Sequence, residues 1–196
     1  MKVEKITLSG ARVRLEPLGA AHLPALAVAI GDGELWQLPV TFVPPPEQLD
    51  GFLADAETAY AAGRELAFAT IDIASGAVVG STRFREIRSK HLRAEIGFTF
   101  IGQSWQRSHV NTEAKYLMLC HAFEHWGCNR VEFLTDFLNA KSRAAIARLG
   151  AQQEGVLRNH MVMREGRVRD SVIFSITGAE WPAVKLALEE KLAVAA

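Results

Sequence analysis

Apolar and polar positions alternate with period two over residues 66–74, 77–87 and 93–101, which predicts three strands in succession. Ser75-Gly76 suits a hairpin turn between the first two, so the three should run antiparallel. Along the third, Ala94, Ile96, Phe98 and Phe100 fall on one face and Glu95, Gly97 and Thr99 on the other. The period then changes. Tyr116, Leu119, Cys120, Phe123 and Trp126 recur at helical spacing and predict a helix over 111–126 that Gly127 stops.

Beyond it the pattern predicts a strand at 130–136, a helix capped by Asn139 and ended by Gly150, a hairpin of 154–163 and 168–177 about Glu165-Gly166, and a helix over 181–192. Ahead of the three strands lie a short strand at 12–15, a helix over 20–30 ending at Gly31, a loop through Pro44, Pro45 and Pro46, and a helix over 47–62 stopped by Gly63. The order βαα-βββ-α-β-α-ββ-α is that of an α/β chain (α+β mixed sheet), one domain over 1–196 with helices packed on a mostly antiparallel sheet. A ligand crevice is expected at the strand-helix-strand-helix passage in the middle.

The 196 residues suffice for one substantial core. Lys+Arg and Asp+Glu are both 22, so no global basic field exists to hold nucleic acid, and no nucleic-acid partner is expected. Cys120 and Cys128 form neither a CxxC pair nor a zinc spacing and read as buried thiols of a reducing cytoplasm. No run of about 18 apolar residues is present, and MKVEKITLSG lacks a hydrophobic signal core, so a cytoplasmic protein without a membrane partner is expected.

The segment FTFIGQSWQRSHVNTEAKYLML, residues 98–119, runs from a strand through a short polar loop into a long helix. Unpaired amides and the positive end of the helix dipole make such a joint a phosphate cradle, although many joints of this kind bind nothing. A second constellation is Asn139-Ala-Lys-Ser142, where Ser142 precedes Ile146 by four and Leu149 by seven and so faces the sheet. The residues alone read Ser142 as a small packing residue. Glu95, on the polar side of a largely buried strand, reads from the residues alone as a structural carboxylate paired with an arginine such as Arg83 or Arg158. His121-Ala-Phe-Glu124-His125 has the H-x-x-E-H form of a helical zinc site, but no third ligand has an identifiable place.

Several of these segments together resemble the GNAT (GCN5-related) N-acetyltransferases, in the branch of the RimJ/RimL enzymes. The resemblance rests on VRLEPL at 13–18, AEIGFTF at 94–100, WQRSHVNTEA at 105–114, NRVEF at 129–133 and NAKSRAAIARLGAQQEGVLR at 139–158, in this order. It implies the acyl-CoA N-acyltransferase fold and an enzyme that moves an acetyl group from acetyl-CoA to a primary amine, a protein N-terminus or a small molecule, by direct attack. Acetyl-CoA is then a cosubstrate, no metal is required, and a homodimer is left open. The family's Q/R-x-x-G-x-G/A loop falls on Gln106-Arg107-Ser108-His109-Val110-Asn111, with His109 and Asn111 at the small positions. The resemblance assigns pyrophosphate binding to Gln106, Arg107, Ser108, His109, Val110, Asn111 and Thr112, and the pantetheine to Phe100, Ile101 and Asn139. It makes Ser142 the acid for the thiolate, lying near the cofactor sulfur, and Glu95 the base, directly or through water; Arg158 and His160, which share one face of their strand, are expected to contact the acceptor. A non-catalytic acyl-CoA-binding protein and a zinc hydrolase on His121, Glu124 and His125 are the competing readings.

Overall fold

The structure, a computed structural model, describes residues 1–194. Its strands are β1 (Leu8–Ser9), β2 (Val13–Pro17), β3 (Leu66–Asp72), β4 (Val78–Arg88), β5 (Arg93–Ile101), β6 (Arg130–Asp136), β7 (Gln152–Val162) and β8 (Val168–Thr177). They form one sheet in the order β1-β2-β3-β4-β5-β6-β8-β7, in which β5 and β6 run parallel and every other neighbouring pair antiparallel. Helices α1 (Leu23–Gly31) and α2 (Leu49–Ala61) cover one face. The other face carries α3 (His109–Cys120), α4 (Ala140–Arg148) and α5 (Trp181–Val194). The mixed, mostly antiparallel sheet is as expected.

Each face has its own apolar core. Val110, Ala114 and Met118 of α3, Ile146 of α4 and Leu188 of α5 pack on Phe68, Phe84, Phe133 and Phe174. Leu26 and Ile30 of α1 and Ala56 of α2 pack on Ala67, Ala69 and Phe100 across the sheet. With both faces covered, β3 is buried along its whole length.

Two local departures from regular pairing position the site. Ser81 pairs with Phe100 and Arg83 with Gly97, so Phe98 and Thr99 both stand opposite Thr82 in a β-bulge, where Phe98 adopts φ 46°. The extra residue reverses the alternation. Ala94 and Ile96 lie in the core under α3 as expected, but Phe100 lies in the core under α1 and α2, and Phe98 meets Phe52 of α2. Secondly, β5 and β6 pair only at Arg93–Arg130, Ala94–Val131 and Glu95–Glu132, while β6 stays paired with β8 as far as Asp136. Past Glu95 the two parallel strands part, and the sheet opens between them.

Other expectations shift by local chemistry. The first helix begins at Leu23, after a 3-10 turn at Ala20–His22, with Pro24 in its first turn. Helix α3 starts two residues before the expected Asn111, because Ser108 caps it, and ends at Cys120 in a π-helical turn, His121–His125. Its sheet-facing stripe is Val110, Ala114, Met118 and Ala122. Tyr116 and Phe123 turn instead to α5, where Tyr116 donates to Glu189 at 2.7 Å and Phe123 stacks on Trp181. Strand β1 was not foreseen. Cys128 is buried and Cys120 half-buried, both free, with burial raising both thiol pKa values, Cys128 to about 11. Among the described residues no helix is long and apolar enough to cross a membrane.

Candidate active site

The opening between β5 and β6 faces the start of α3. Ser108 Oγ accepts from the Val110 amide at 3.3 Å and donates to the Trp105 carbonyl at 2.6 Å, which fixes the turn that starts the helix. The amides of His109, Val110, Asn111 and Thr112 therefore belong to the helix's first turn, where backbone donors lack partners within the helix. Gln106 and Arg107 are exposed ahead of it, Arg107 in the left-handed region at φ 60°, and Gln106 Nε2 donates to the Ile101 carbonyl at 3.0 Å. That bond ties the loop to the end of β5 at the mouth of the opening. Val110 and Thr112 have buried side chains, so only their backbone can meet a ligand.

His109 stands where a small residue was expected, and its ring is drawn aside to Asp72 at the end of β3, Nε2 to Oδ1 3.3 Å. Asp72 is held by the amide and hydroxyl of Ser75, the main reason its carboxyl pKa is lowered.

On the far side of the opening, β6 ends at Asp136 and Asn139 caps α4, its Oδ1 accepting from the Ser142 amide at 3.0 Å. Ser142 is half-buried at the start of α4, and its hydroxyl makes no hydrogen bond among the described residues. The helix turns Ile146 and Leu149 into the core, as the spacing predicts.

Glu95 occupies the last paired position before the strands part, directly opposite Glu132, and is 7% exposed. Its partner is neither Arg83 nor Arg158 but Arg85, the residue opposite it on β4, whose Nη1 donates to Glu95 Oε1 at 3.2 Å. Arg83 binds Glu65 at 2.8 Å between the rings of Phe52 and Phe98. Gly97 leaves room for the Arg85–Glu95 pair, since a Cβ there would sit 2.8 Å from Glu95 Oε1 and 2.9 Å from Arg85 Cδ. Burial pushes the Glu95 carboxyl pKa up, Arg85 pulls it back, and the nearby Glu132, Glu86 and Glu65 raise it further. Glu95 lies on the α2 face of the sheet and Ser142 on the α4 face, so a molecule bridging them would pass through the opening.

Two hollows lie on the sheet, one of them lined by Glu95's partner Arg85. One of about 680 Å³ is lined by Phe42, Phe52, Arg83, Arg85 and Phe98, the other of about 880 Å³ by Arg158, His160 and Asp170 along β7. Arg158 and His160 thus border a common cavity. The histidine-glutamate motif is engaged elsewhere: Glu124 accepts from Trp181 at 3.0 Å and Lys185 at 2.7 Å, and His121 lies against Phe84 and Trp126 with its pKa lowered to about 4, mainly by burial. Among the described residues no group of three or more His, Cys, Asp or Glu could hold a metal ion. Sequence reasoning missed Arg85, Lys115, Arg169 and Ser171. Only the last two had a readable signal, a polar Arg-x-Ser alternation on a buried strand.

The sheet parts between two parallel strands, with a capped helix start at the mouth of the opening, in an α/β protein with a mixed sheet. The sequence profile of the acetyltransferase (GNAT) domain matches residues 12–152, and the chain belongs to that family. A GCN5-related N-acetyltransferase structure from Brucella melitensis is 34% identical, covers 98% of this chain and 87% of its own, and superposes with a TM-score of 0.87. The putative ribosomal N-acetyltransferase YdaF of Bacillus subtilis is 29% identical over 110 residues, 56% of this chain. The matches span 55–59% of the length of the curated relatives found. Mycobacterium smegmatis RimJ, solved in complex with CoA-disulfide, shares the fold at 22% identity, with a TM-score of 0.80 over 95% of both chains.

Proposed function

We propose that the protein transfers the acetyl group of acetyl-CoA to a primary amine. The observation that carries this reading is the opening past Glu95 and Glu132, with the first turn of α3 at its mouth. The residues present fit the cosubstrate: the first-turn amides from His109 to Thr112 and the exposed Gln106 and Arg107 suit a pyrophosphate, and His109 is held aside by Asp72. The freed edge of β5 through Phe100 and Ile101, with Asn139 across the opening, suits the pantetheine arm.

When bound, acetyl-CoA supplies the thioester acyl group. Glu95, buried and raised in pKa, takes the proton of the incoming amine, directly or through water, and Ser142 delivers a proton towards the departing sulfur from the other face. The Ser142 hydroxyl is uncommitted and can turn either way. Backbone donors of the parted strand stabilise the developing oxyanion. Arg158 and His160 border the acceptor's approach.

Thiol release with acetyl-CoA across peptide N-termini, amino acids, polyamines and aminoglycosides tests the reading. Expected are release that depends on both protein and amine, and a mass gain of one acetyl group on the amine. Tight acetyl-CoA binding without transfer to any of these classes would instead support the non-catalytic acyl-CoA-binding reading.

A further inference from the structure

Two arginines are buried, and they differ in one respect. Arg83 holds Glu65 at 2.8 Å, whereas Arg169 on β8, 5% exposed, forms no ion pair among the described residues. Arg169 Nε donates to Ser171 Oγ at 2.9 Å, and Ser171 Oγ is in turn 3.1 Å from His160 Nδ1. The ring of Phe42 lies 5.7 Å from the guanidinium carbon. These contacts hold the group by one nitrogen and one ring, and leave both terminal amino groups without a hydrogen bond among the described residues.

A guanidinium buried without a counter-charge is costly, and folded chains normally pair it. The acidic neighbours that could do so are committed: Asp136 accepts from Arg167, and Glu95 from Arg85 at 3.2 Å. The position is also central. Phe42, on one side of Arg169, lines the hollow that contains Arg85 and Phe98, and His160, reached through Ser171, lines the hollow along β7. Through Phe42, Arg169 adjoins the hollow lined by Arg85, the arginine that donates to Glu95, and both Asp136 and Glu95 act electrostatically on it.

We infer that Arg169 is a specificity residue that receives a carboxylate of the acceptor through its free Nη1/Nη2 fork. The inference rests on the acetyltransferase reading and narrows the acceptor to a primary amine that also carries a carboxylate. A planar carboxylate matches the two parallel N–H groups. A second negative charge, as on a phosphomonoester, would be repelled by Glu95 and Asp136. The carboxylate belongs either to a free amino acid or to an acidic residue near a peptide N-terminus.

The test compares acids with their amides: glycine with glycinamide, and a tetrapeptide beginning Asp with one beginning Asn, by kcat/KM for acetyl transfer. The acid is expected to be preferred by about tenfold or more in one of the two pairs, and which pair shows it identifies the source. Arg169→Met should collapse that ratio to about 1, and Arg169→Lys, which keeps charge but loses the fork, should retain only part of it. Removing an unpaired buried charge should leave the Tm of Arg169→Met equal to or above wild type. A lowered Tm with an unchanged ratio marks a structural arginine and overturns the assignment, as do equal rates for acid and amide in both pairs. Binding gives a readout without turnover: N-acetylglycine or N-acetyl-Asp tetrapeptide should raise the wild-type Tm more than the matching amide, and not in Arg169→Met. If that difference appears while no amine is acetylated, the anion site stands and the acetyltransferase reading fails. Equal shifts from acid and amide overturn the site whatever the turnover.

Discussion

Lys115 of α3 points its ammonium into the sheet, Nζ 2.6 Å from Thr99 Oγ1 on β5 and 2.7 Å from Thr82 Oγ1 on β4. It is 4% exposed, and no carboxylate accompanies it among the described residues. Thr99 is one of the two bulged residues of β5 and Thr82 stands opposite them, so Lys115 ties the helix at the mouth of the opening to the strand that forms its edge.

Burial lowers the Lys115 pKa from 10.5 to about 7. Between those values the unfolded chain binds a proton that the folded chain does not, so stability rises with pH; below pH 7 both forms are charged and the penalty is constant. Lys115→Met lacks this dependence. The stability advantage of Lys115→Met over wild type should therefore shrink by about 4 kcal/mol, as an order of magnitude, between neutral pH and the lysine's unfolded pKa. Urea unfolding of both proteins at neutral pH and near the unfolded pKa checks it, and a pH-independent difference would mean that the amine stays charged in the fold.

Ser142→Ala removes a hydroxyl that bonds nothing among the described residues, at a position where alanine is the better helix former. Stability should change by less than about 1 kcal/mol. If the hydroxyl delivers the proton to sulfur, single-turnover acetyl transfer should fall by about 100-fold while calorimetric acetyl-CoA affinity holds. A normal rate would leave Ser142 a packing residue, and lost affinity with a normal rate would make it a cofactor contact.

The fold was legible where the signals were local. Strand β6 and helix α4 lie as the pattern predicts, because alternating burial, an Asn cap and a Gly at φ 99° each act within a few residues. What could not be read depended on pairing. The bulge at Phe98 and Thr99 reverses which face Phe100 occupies, and a register shift leaves no mark in hydropathy. Arg85 became Glu95's partner through cross-strand register, whereas the sequence offers Arg83 and Arg158 as readily. The start of α3 was misplaced because Ser108 and Asn111 are both good caps, and the bond from Ser108 to Trp105 decided between them.

His109→Gly tests the departure in the cofactor loop. The ring makes a partly exposed contact to Asp72, and glycine at the first helical position lowers helix propensity, so stability should fall by about 1 kcal/mol. Because the imidazole lies beside Asp72 and glycine frees the loop backbone, acetyl-CoA affinity by calorimetry should be preserved or tightened. Abolished binding in a folded variant would show that the ring itself touches the cofactor.

Glu95 carries the most discriminating pH test. Its folded pKa lies above 4.5, so over the interval between the two values the folded state holds a proton that the unfolded state has released, and stability falls as pH rises. Glu95→Gln keeps the neutral form at every pH, and Arg85 retains Glu65 at 3.6 Å. The variant should therefore gain stability relative to wild type as pH rises from acid to neutral. Activity should move the opposite way: kcat/KM of wild type falls as pH drops through the raised carboxyl pKa, because a protonated Glu95 accepts nothing from the amine. Glu95→Gln should lose that acidic limb and about 100-fold in kcat. A variant that keeps the acidic limb assigns the base to another group, and one that loses rate at every pH without losing the limb makes Glu95 a residue that orders the acceptor through Arg85.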